Sequence, residues 1–185
     1  MILKIERNDD ITEILEITPE VFHDRRGFYM ETWHANKFSN SGIDAHFVQD
    51  NHSKSSKNIL RGLHYQIKQP QGKLARVING EVFDVSVDLR KHSPTFGKWA
   101  GVILSEDNRK MLWIPPGFAH GFYVISDEAE FLYKCTDFYA PQYERCIRWD
   151  DPDLAIFWPV PAGQTPELSE KDSCALSFHD AEKYK

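Results

Sequence analysis

The sequence predicts an all-β protein of many short antiparallel strands, arranged as a sandwich, jelly roll or barrel. Three observations carry that expectation. Aromatic residues make up 13% of 185 residues, alongside ten glycines and ten prolines, a composition suited to strands and turns. Short apolar or alternating runs recur between turn signals along the middle of the chain. No stretch between those runs fits a helical crossover of a dozen residues, which a parallel βαβ architecture needs.

In chain order, the polar run His23-Asp-Arg-Arg-Gly27 reads as a turn feeding a strand over residues 28–33. Residues 34–39 read as a short helix closing at Gly42, and residues 62–66 as a strand. Residues 73–89 carry the clearest signal. Asn79-Gly80 separates two strand-like runs and suits a type I′ turn, so a β-hairpin is expected. After the turn, Phe83, Val85, Val87 and Leu89 share an apolar face, while Val82, Asp84, Ser86 and Asp88 share a mostly polar one. Further strands are expected over 99–104, over 110–114 (stopped by Pro115-Pro116), over 121–125, over 130–136 with Phe131, Tyr133 and Cys135 on one side, and over 145–149. Residues 165–172 read as a single helical turn, because proline is tolerated in a first turn.

A chain of 185 residues supports one domain, with a core over about residues 3–175 and a short tail at 173–185 to which the sequence assigns no role. Apolar residues at 41% and charged residues at 27% allow a sizeable core and argue against disorder. The net charge of -6 opposes nucleic-acid binding, which needs a basic field. The apolar runs are too short for a membrane span. The opening MILKIERNDD turns acidic too early for a signal peptide. Three scattered cysteines, Cys135, Cys146 and Cys174, suit neither a disulfide framework nor a zinc cluster, and fit a reducing, cytoplasmic setting.

Two segments could carry chemistry. In Arg61-Gly-Leu-His64-Tyr-Gln66, a strand over 62–66 would put His64 and Gly62 on one face and Arg61 on the other, with a bend as Arg61's route to a shared site. His64 is either a reactive imidazole or a buried, hydrogen-bonded one. In Pro115-Pro-Gly-Phe-Ala-His120-Gly, a turn delivers a histidine to the head of a strand, either as a functional group or as an ordinary surface histidine.

Together these segments resemble the paired motifs of the cupin superfamily, a double-stranded β-helix or jelly roll. Pro115, Gly117 and His120 match the second motif. The first motif usually supplies His-x-His and a later Glu to a metal, whereas this chain reads His64-Tyr65-Gln66, which leaves too few ligands for a facial metal site. The resemblance implies an antiparallel cupin-type jelly roll, with short helices near the termini, in which His64 is free to take a proton. Within that superfamily, the chain is similar over about residues 3–175 to the dTDP-4-dehydrorhamnose 3,5-epimerases. The similarity is carried by Asp24-Arg-Arg-Gly-Phe-Tyr-Met-Glu31, Phe47-Val-Gln-Asp-Asn-His-Ser53, Leu60-Arg-Gly-Leu-His-Tyr-Gln66, Gln71-Gly-Lys73, Gly80-Glu-Val-Phe-Asp84, Ser93-Pro-Thr-Phe-Gly97, Trp113-Ile-Pro-Pro-Gly-Phe-Ala-His-Gly-Phe122, Glu130-Phe-Leu-Tyr-Lys134 and Tyr139-Ala-Pro-Gln-Tyr-Glu144.

The resemblance implies a substrate, dTDP-4-dehydro-6-deoxy-D-glucose, and proton transfer at C3 and C5 with neither metal nor redox cofactor. A ketone at C4 acidifies both carbons, so the reaction needs a base, an acid across the ring and a group that holds the enolate charge. The resemblance assigns His64 as base, Asp172 as its orienting carboxylate, Tyr133 as acid and Lys73 as enolate stabiliser, with Tyr139 as an alternative donor. It places Arg61, Arg26, Lys171 and, less centrally, Arg145 toward the diphosphate. Gln49, Asp50, Asn51 and Glu144 would hydrogen-bond sugar and nucleotide, and His120 would complete the sugar pocket. Arg26 and Glu31 would reach the nucleotide of a neighbouring subunit, implying a homodimer with a shared site. Taken alone, Asp172 also fits a solvated helix-end carboxylate, Lys73 a strand-edge lysine, Tyr133 a half-buried aromatic and Arg25-Arg26 a surface turn. The competing functions are a related 3- or 5-epimerase, a metal-dependent cupin oxygenase and a non-catalytic sugar-binding jelly roll.

Overall fold

The computed structural model describes residues 3–185. Its strands, in chain order, are β1 (Leu3–Arg7), β2 (Leu15–Pro19), β3 (Val21–Asp24), β4 (Gly27–Met30), β5 (Gln49–Ser56), β6 (Leu60–Gln66), β7 (Lys73–Asn79), β8 (Glu81–Asp88), β9 (Trp99–Ser105), β10 (Met111–Ile114), β11 (Phe118–Val124), β12 (Glu128–Cys135) and β13 (Glu144–Cys146). Two short helices, α1 (Ala35–Asn40) and α2 (Glu170–Ser173), lie toward the ends. One sheet runs β1-β2-β10-β7-β12-β5 and the other β13-β6-β11-β8-β9, with all pairings antiparallel. The two sheets face each other as a jelly roll, and β3 and β4 form a separate ribbon. No helix among the described residues is long and apolar enough to cross a membrane.

Three layers of apolar side chains hold the sheets. Between them lie Ala75, Val77, Val82, Leu104, Leu112, Ile114, Phe122 and Phe131. Outside the first sheet, Leu15, Ile17, Leu74, Met111 and Trp113 pack against Phe38 of α1 and against Ile43. Outside the second, Val85, Val87 and Leu89 pack against Leu154, Trp158 and Ala181. The tail therefore has a role that its sequence did not disclose. It covers the outer face of the second sheet, tied down by Tyr184 Oη donating to the Gln66 carbonyl at 2.6 Å, by Tyr65 Oη donating to the Glu182 carbonyl, and by a bridge between Arg90 and Tyr184.

The alternation expected along β8 is present, but its polar face does not meet solvent. Asp84, Ser86 and Asp88 are fully buried because they point between the sheets, while the apolar face points outward under the tail. Buried carboxylates need partners. Asp88 accepts from Ser93 Oγ at 2.6 Å, Thr95 Oγ1 at 2.6 Å and Arg90 Nη2 at 2.7 Å.

The hairpin expected at Asn79-Gly80 is a corner instead. The strands β7 and β8 do not pair. One sits between β10 and β12, the other between β11 and β9. Gly80 supplies a positive φ of +76°, but Asn79 does not, so the type I′ turn expected here is not formed. Burying both faces of both strands overrides the local pairing.

Other boundaries also move. The strand expected over 28–33 ends at Met30, and its partner β3 precedes the Arg25-Arg26 turn. The strand expected over 145–149 shrinks to β13, after which Ile147 still exchanges backbone hydrogen bonds of 3.0 Å with Leu63 and bridges to Leu176. The helical turn begins later than residue 165, because Glu167 is engaged in a bridge to Ile59 and Ser169 is the cap, its Oγ accepting from Asp172 N at 3.1 Å. Strands β1, β2 and β5 had no clear signal in the sequence.

Candidate active site

A cavity of about 340 Å³ opens between the sheets, lined by Arg61, His64, Lys73, His120, Tyr133 and Glu144 among others. His64 and His120 come from one sheet, and Lys73 and Tyr133 from the other. The imidazole of His64 thus faces the phenol and ammonium across the opening.

Arg61 reaches this cavity by a route the simple alternation missed. Along β6 and β11 the pairs are His120 with His64 and then Phe122 with Arg61. Two steps on one strand therefore match three on the other. This bulge inserts one residue in β6 and turns Arg61 and His64 to the same side. Arg61 Nε also donates to Ser55 Oγ at 3.0 Å.

The orienting partner of His64 is Asp172, 108 residues further along the chain. His64 Nε2 lies 2.5 Å from Asp172 Oδ1. The carboxylate is buried and the imidazole is 30% exposed to the cavity. Burial alone would raise the carboxyl pKa, but hydrogen bonds from His64, Ser169 and Cys146 outweigh it and hold Asp172 below the usual carboxylate range. With Nε2 engaged, Nδ1 is the nitrogen left to accept a proton.

Lys73 sits on β7, a central strand rather than an edge, and is 8% exposed. Burial lowers its pKa, opposed by Cys135, Asp84 and Glu144. Its Nζ lies 6.0 Å from the centroid of the Tyr133 ring. Tyr133 is half-buried, and dehydration pushes its phenol up to about 12, so it stays protonated and able to donate. Neither side chain has a hydrogen-bond or ion-pair partner among the described residues. A buried ammonium and phenol left without partners suit an anion that forms within the cavity.

His120 is buried and pairs with Asp84, its Nε2 lying 2.8 Å from Oδ2. Burial lowers its pKa against the opposing pull of Asp84. Asp84 was missed as a site residue. Its signal was a carboxylate on the polar stripe, shared with Ser86 and Asp88, of an otherwise apolar strand. Gln66, which stands where a metal-binding cupin has its second histidine, is fully committed elsewhere. Its Nε2 donates to the Gln69 and Phe138 carbonyls at 2.8 and 3.2 Å, and its Oε1 accepts from Ala140 N at 2.8 Å. It fixes the loop that carries Tyr139.

At the rim, Tyr139 Oη donates to Glu144 Oε2 at 2.7 Å, and Lys171 Nζ pairs with Glu144 Oε1 at 2.5 Å. Gln49 donates to Asn51 Oδ1 at 3.0 Å and accepts from Tyr139 N at 2.8 Å. Asn51 also lines the cavity. Asp50 does not. It alternates to the outside of the first sheet and pairs with Lys134 at 2.9 Å, beside a separate hollow of about 290 Å³ that holds neither His64 nor Lys73. Arg145 faces the tail and pairs with Glu182 at 3.0 Å. Arg26 is at the exposed end of the β3–β4 ribbon, paired with Asp24 at 2.5 Å, and Glu31 pairs with Lys37 at 2.8 Å. Neither lines the cavity of its own chain.

A jelly roll that sets a carboxylate-paired imidazole against a protonated phenol is built for moving protons on and off carbon, which is isomerase chemistry. The sequence comparisons narrow that class. The family model described as dTDP-4-dehydrorhamnose 3,5-epimerase matches residues 8–180, and the chain belongs to this family. The dTDP-4-dehydrorhamnose 3,5-epimerase of Pseudomonas aeruginosa is 55% identical over 173 residues, covering 93% of this chain and 94% of that one. A crystal structure of the Legionella pneumophila dTDP-6-deoxy-D-glucose-3,5-epimerase, in complex with dTDP-4-keto-L-rhamnose, is similar with a TM-score of 0.94 at 48% identity and covers 100% of both chains. A 3′-monoepimerase from Streptomyces bikiniensis, in complex with dTDP-quinovose, has a TM-score of 0.85 at 32% identity, covering 93% of this chain and 87% of that one.

Proposed function

We propose that this chain inverts C3 and C5 of dTDP-4-dehydro-6-deoxy-D-glucose, giving dTDP-4-dehydro-L-rhamnose. The observation that carries the reading is the placement of His64, with Asp172 behind it, opposite Tyr133 and Lys73 in one cavity. His64 Nδ1 removes the proton from carbon, and the electron pair of that C–H bond becomes the enolate charge on O4. Lys73 Nζ stabilises that oxygen. Tyr133 Oη then delivers a proton to the opposite face of the carbon, forming the new C–H bond. His64 releases its proton to solvent and Tyr133 recovers one. Arg61 and Lys171 at the rim supply positive charge for the diphosphate, as an acidic protein must concentrate locally.

Arg26 and Glu31 fit a nucleotide site shared within a homodimer, because the ribbon that bears Arg26 also exposes Phe22, Phe28 and Tyr29. Mixed dimers of Arg26→Ala and His64→Ala subunits would then recover activity that neither variant has alone. No recovery would assign each chain a self-sufficient site. Three free cysteines suit a reducing, cytoplasmic setting.

The deciding experiment supplies dTDP-4-dehydro-6-deoxy-D-glucose in deuterated water and determines configuration and deuterium content at both carbons by NMR. Inversion with deuterium at C3 and C5 is expected. Inversion at C3 alone would move the chain to the single-epimerase class.

A further inference from the structure

His64 and Asp172 have a third neighbour that the proton transfer does not use. Cys146 on β13 is paired in register with His64 on β6, and its sulfur lies 3.6 Å from Asp172 Oδ1. The same oxygen is 2.5 Å from His64 Nε2. A ring nitrogen of His64, the sulfur of Cys146 and a carboxylate oxygen of Asp172 therefore all lie within 4.8 Å of one another. Three separate elements supply them, and backbone pairing and the Ser169 cap hold those elements in place.

We propose that these three side chains form a binding site for a soft divalent cation, zinc or cadmium, and that its occupancy silences the enzyme. The silencing rests on the reading of His64 as the base, whereas the binding does not.

One nitrogen, one thiolate and one carboxylate form a three-ligand set of the kind that holds zinc with its fourth position open. Bond lengths of about 2.3 Å to sulfur and 2.1 Å to oxygen, at a tetrahedral angle, set those two ligands about 3.6 Å apart. The sulfur–oxygen distance already has that value. The imidazole nitrogen must recede from the carboxylate oxygen by roughly 1 Å to reach its own tetrahedral place, and its partial exposure gives it room. The fourth position is left for water. Thiolate and carboxylate together neutralise a dication. The other charges facing the cluster, Lys171 and Glu144, neutralise each other in their 2.5 Å pair.

Binding forms a metal–sulfur bond and releases the thiol proton to solvent. It also fixes the imidazole tautomer. A neutral ring bound through Nε2 carries its hydrogen on Nδ1, the nitrogen that must be bare to take a proton from the sugar. An occupied site therefore blocks the base.

The test uses cadmium chloride with the reduced, full-length protein and reads the ultraviolet sulfur-to-cadmium charge-transfer band. One equivalent is expected to bind. Cys146→Ala should abolish the band and Cys174→Ser should keep it. Asp172→Asn and His64→Asn should keep the thiolate but weaken binding by more than about tenfold, a readout independent of turnover and of whether Cys146→Ala folds. Turnover of the unaltered protein should fall in step with occupancy and return with a chelator. Absence of the band, its survival in Cys146→Ala, its loss in Cys174→Ser, or unchanged affinity in both Asp172→Asn and His64→Asn would overturn the site. A band of the expected stoichiometry with undiminished turnover would uphold the site and overturn the assignment of His64 as base.

Discussion

Replacing Asp172 by Asn preserves its shape and removes its charge. His64 Nε2 and Asp172 Oδ1 are 2.5 Å apart, and the carboxylate is 4% exposed. When His64 takes a proton from the sugar, an imidazolium forms against that carboxylate. With charge centres about 4 Å apart and an effective dielectric near 20, the attraction is worth about 4 kcal/mol, or roughly a thousandfold in rate. The surface-like dielectric is appropriate because the imidazole is open to the cavity. A second effect adds to the first. The asparagine amide can donate to Nε2, which drives the ring hydrogen onto Nδ1 and leaves the wrong tautomer. The expected loss in kcat is about 10³- to 10⁴-fold, with KM little changed. Steady-state turnover and deuterium wash-in at C3 and C5 measure it. A fall of less than about tenfold in wash-in would show that Asp172 neither orients nor stabilises the base.

Tyr133→Phe removes the phenol proton carried to the opposite face, so kcat for inversion should fall by about 10²- to 10⁴-fold. Deuterium should still enter with retained configuration, because His64 can return what it takes, and NMR distinguishes the two outcomes. Lys73→Met should lower kcat by about 10²- to 10³-fold while raising the melting temperature, because it removes a buried, unpaired ammonium. The sign is checkable by pH. A lysine whose folded pKa lies below its ordinary 10.5 penalises folding while the charge is retained, so the thermal advantage of Lys73→Met should shrink as pH rises toward that value. Gly80→Ala should destabilise the fold by about 3 kcal/mol, because φ is +76° and the new Cβ would lie 2.0 Å from the Glu128 carbonyl. At this chain length that is roughly a 10 °C fall in melting temperature, measured by calorimetry.

The fold class was legible because strand period and turn chemistry are local. Strands β7 to β12 could be read for that reason. Pairing was less legible, because Asn79-Gly80 dictates only a backbone angle. A hairpin and a corner between sheets both satisfy that angle, and long-range burial chooses between them. Strand β5 escaped notice because residues 49–56, QDNHSKSS, carry no large apolar side chain. Gln49, Asn51, Ser53 and Ser55 turn toward the polar interior, and the opposite face of β5 bears Asp50, His52 and Lys54. The bend proposed as Arg61's route to a site shared with His64 is the bulge in β6, and Gly62, at a φ of +124°, is the residue in Arg61-Gly-Leu-His64 that marks it.

The site follows a related logic. In a solvated sheet an Asp-x-Ser-x-Asp stripe points to water, and its burial here looks like a local contradiction. It is resolved when both faces of β8 are covered, one by the opposite sheet and the other by the tail. A polar stripe on a doubly covered strand must then find partners inside, and each carboxylate has found a cation or donor: Asp84 has His120, and Asp88 has Arg90, Ser93 and Thr95. Ser86 Oγ, on the same stripe, is a departure from that rule, buried without a partner, and Lys73 and Tyr133 facing the cavity are also polar and without hydrogen-bond partners among the described residues. Unsatisfied groups of that kind persist where a bound molecule satisfies them. Under the proposed function, the substrate ketone, once it becomes an enolate, is that partner. Asp172 could not be found by such reasoning from sequence, because a carboxylate 108 residues from its imidazole carries no local mark. Only the packing of the C-terminal segment over β6 and β13 brings it there.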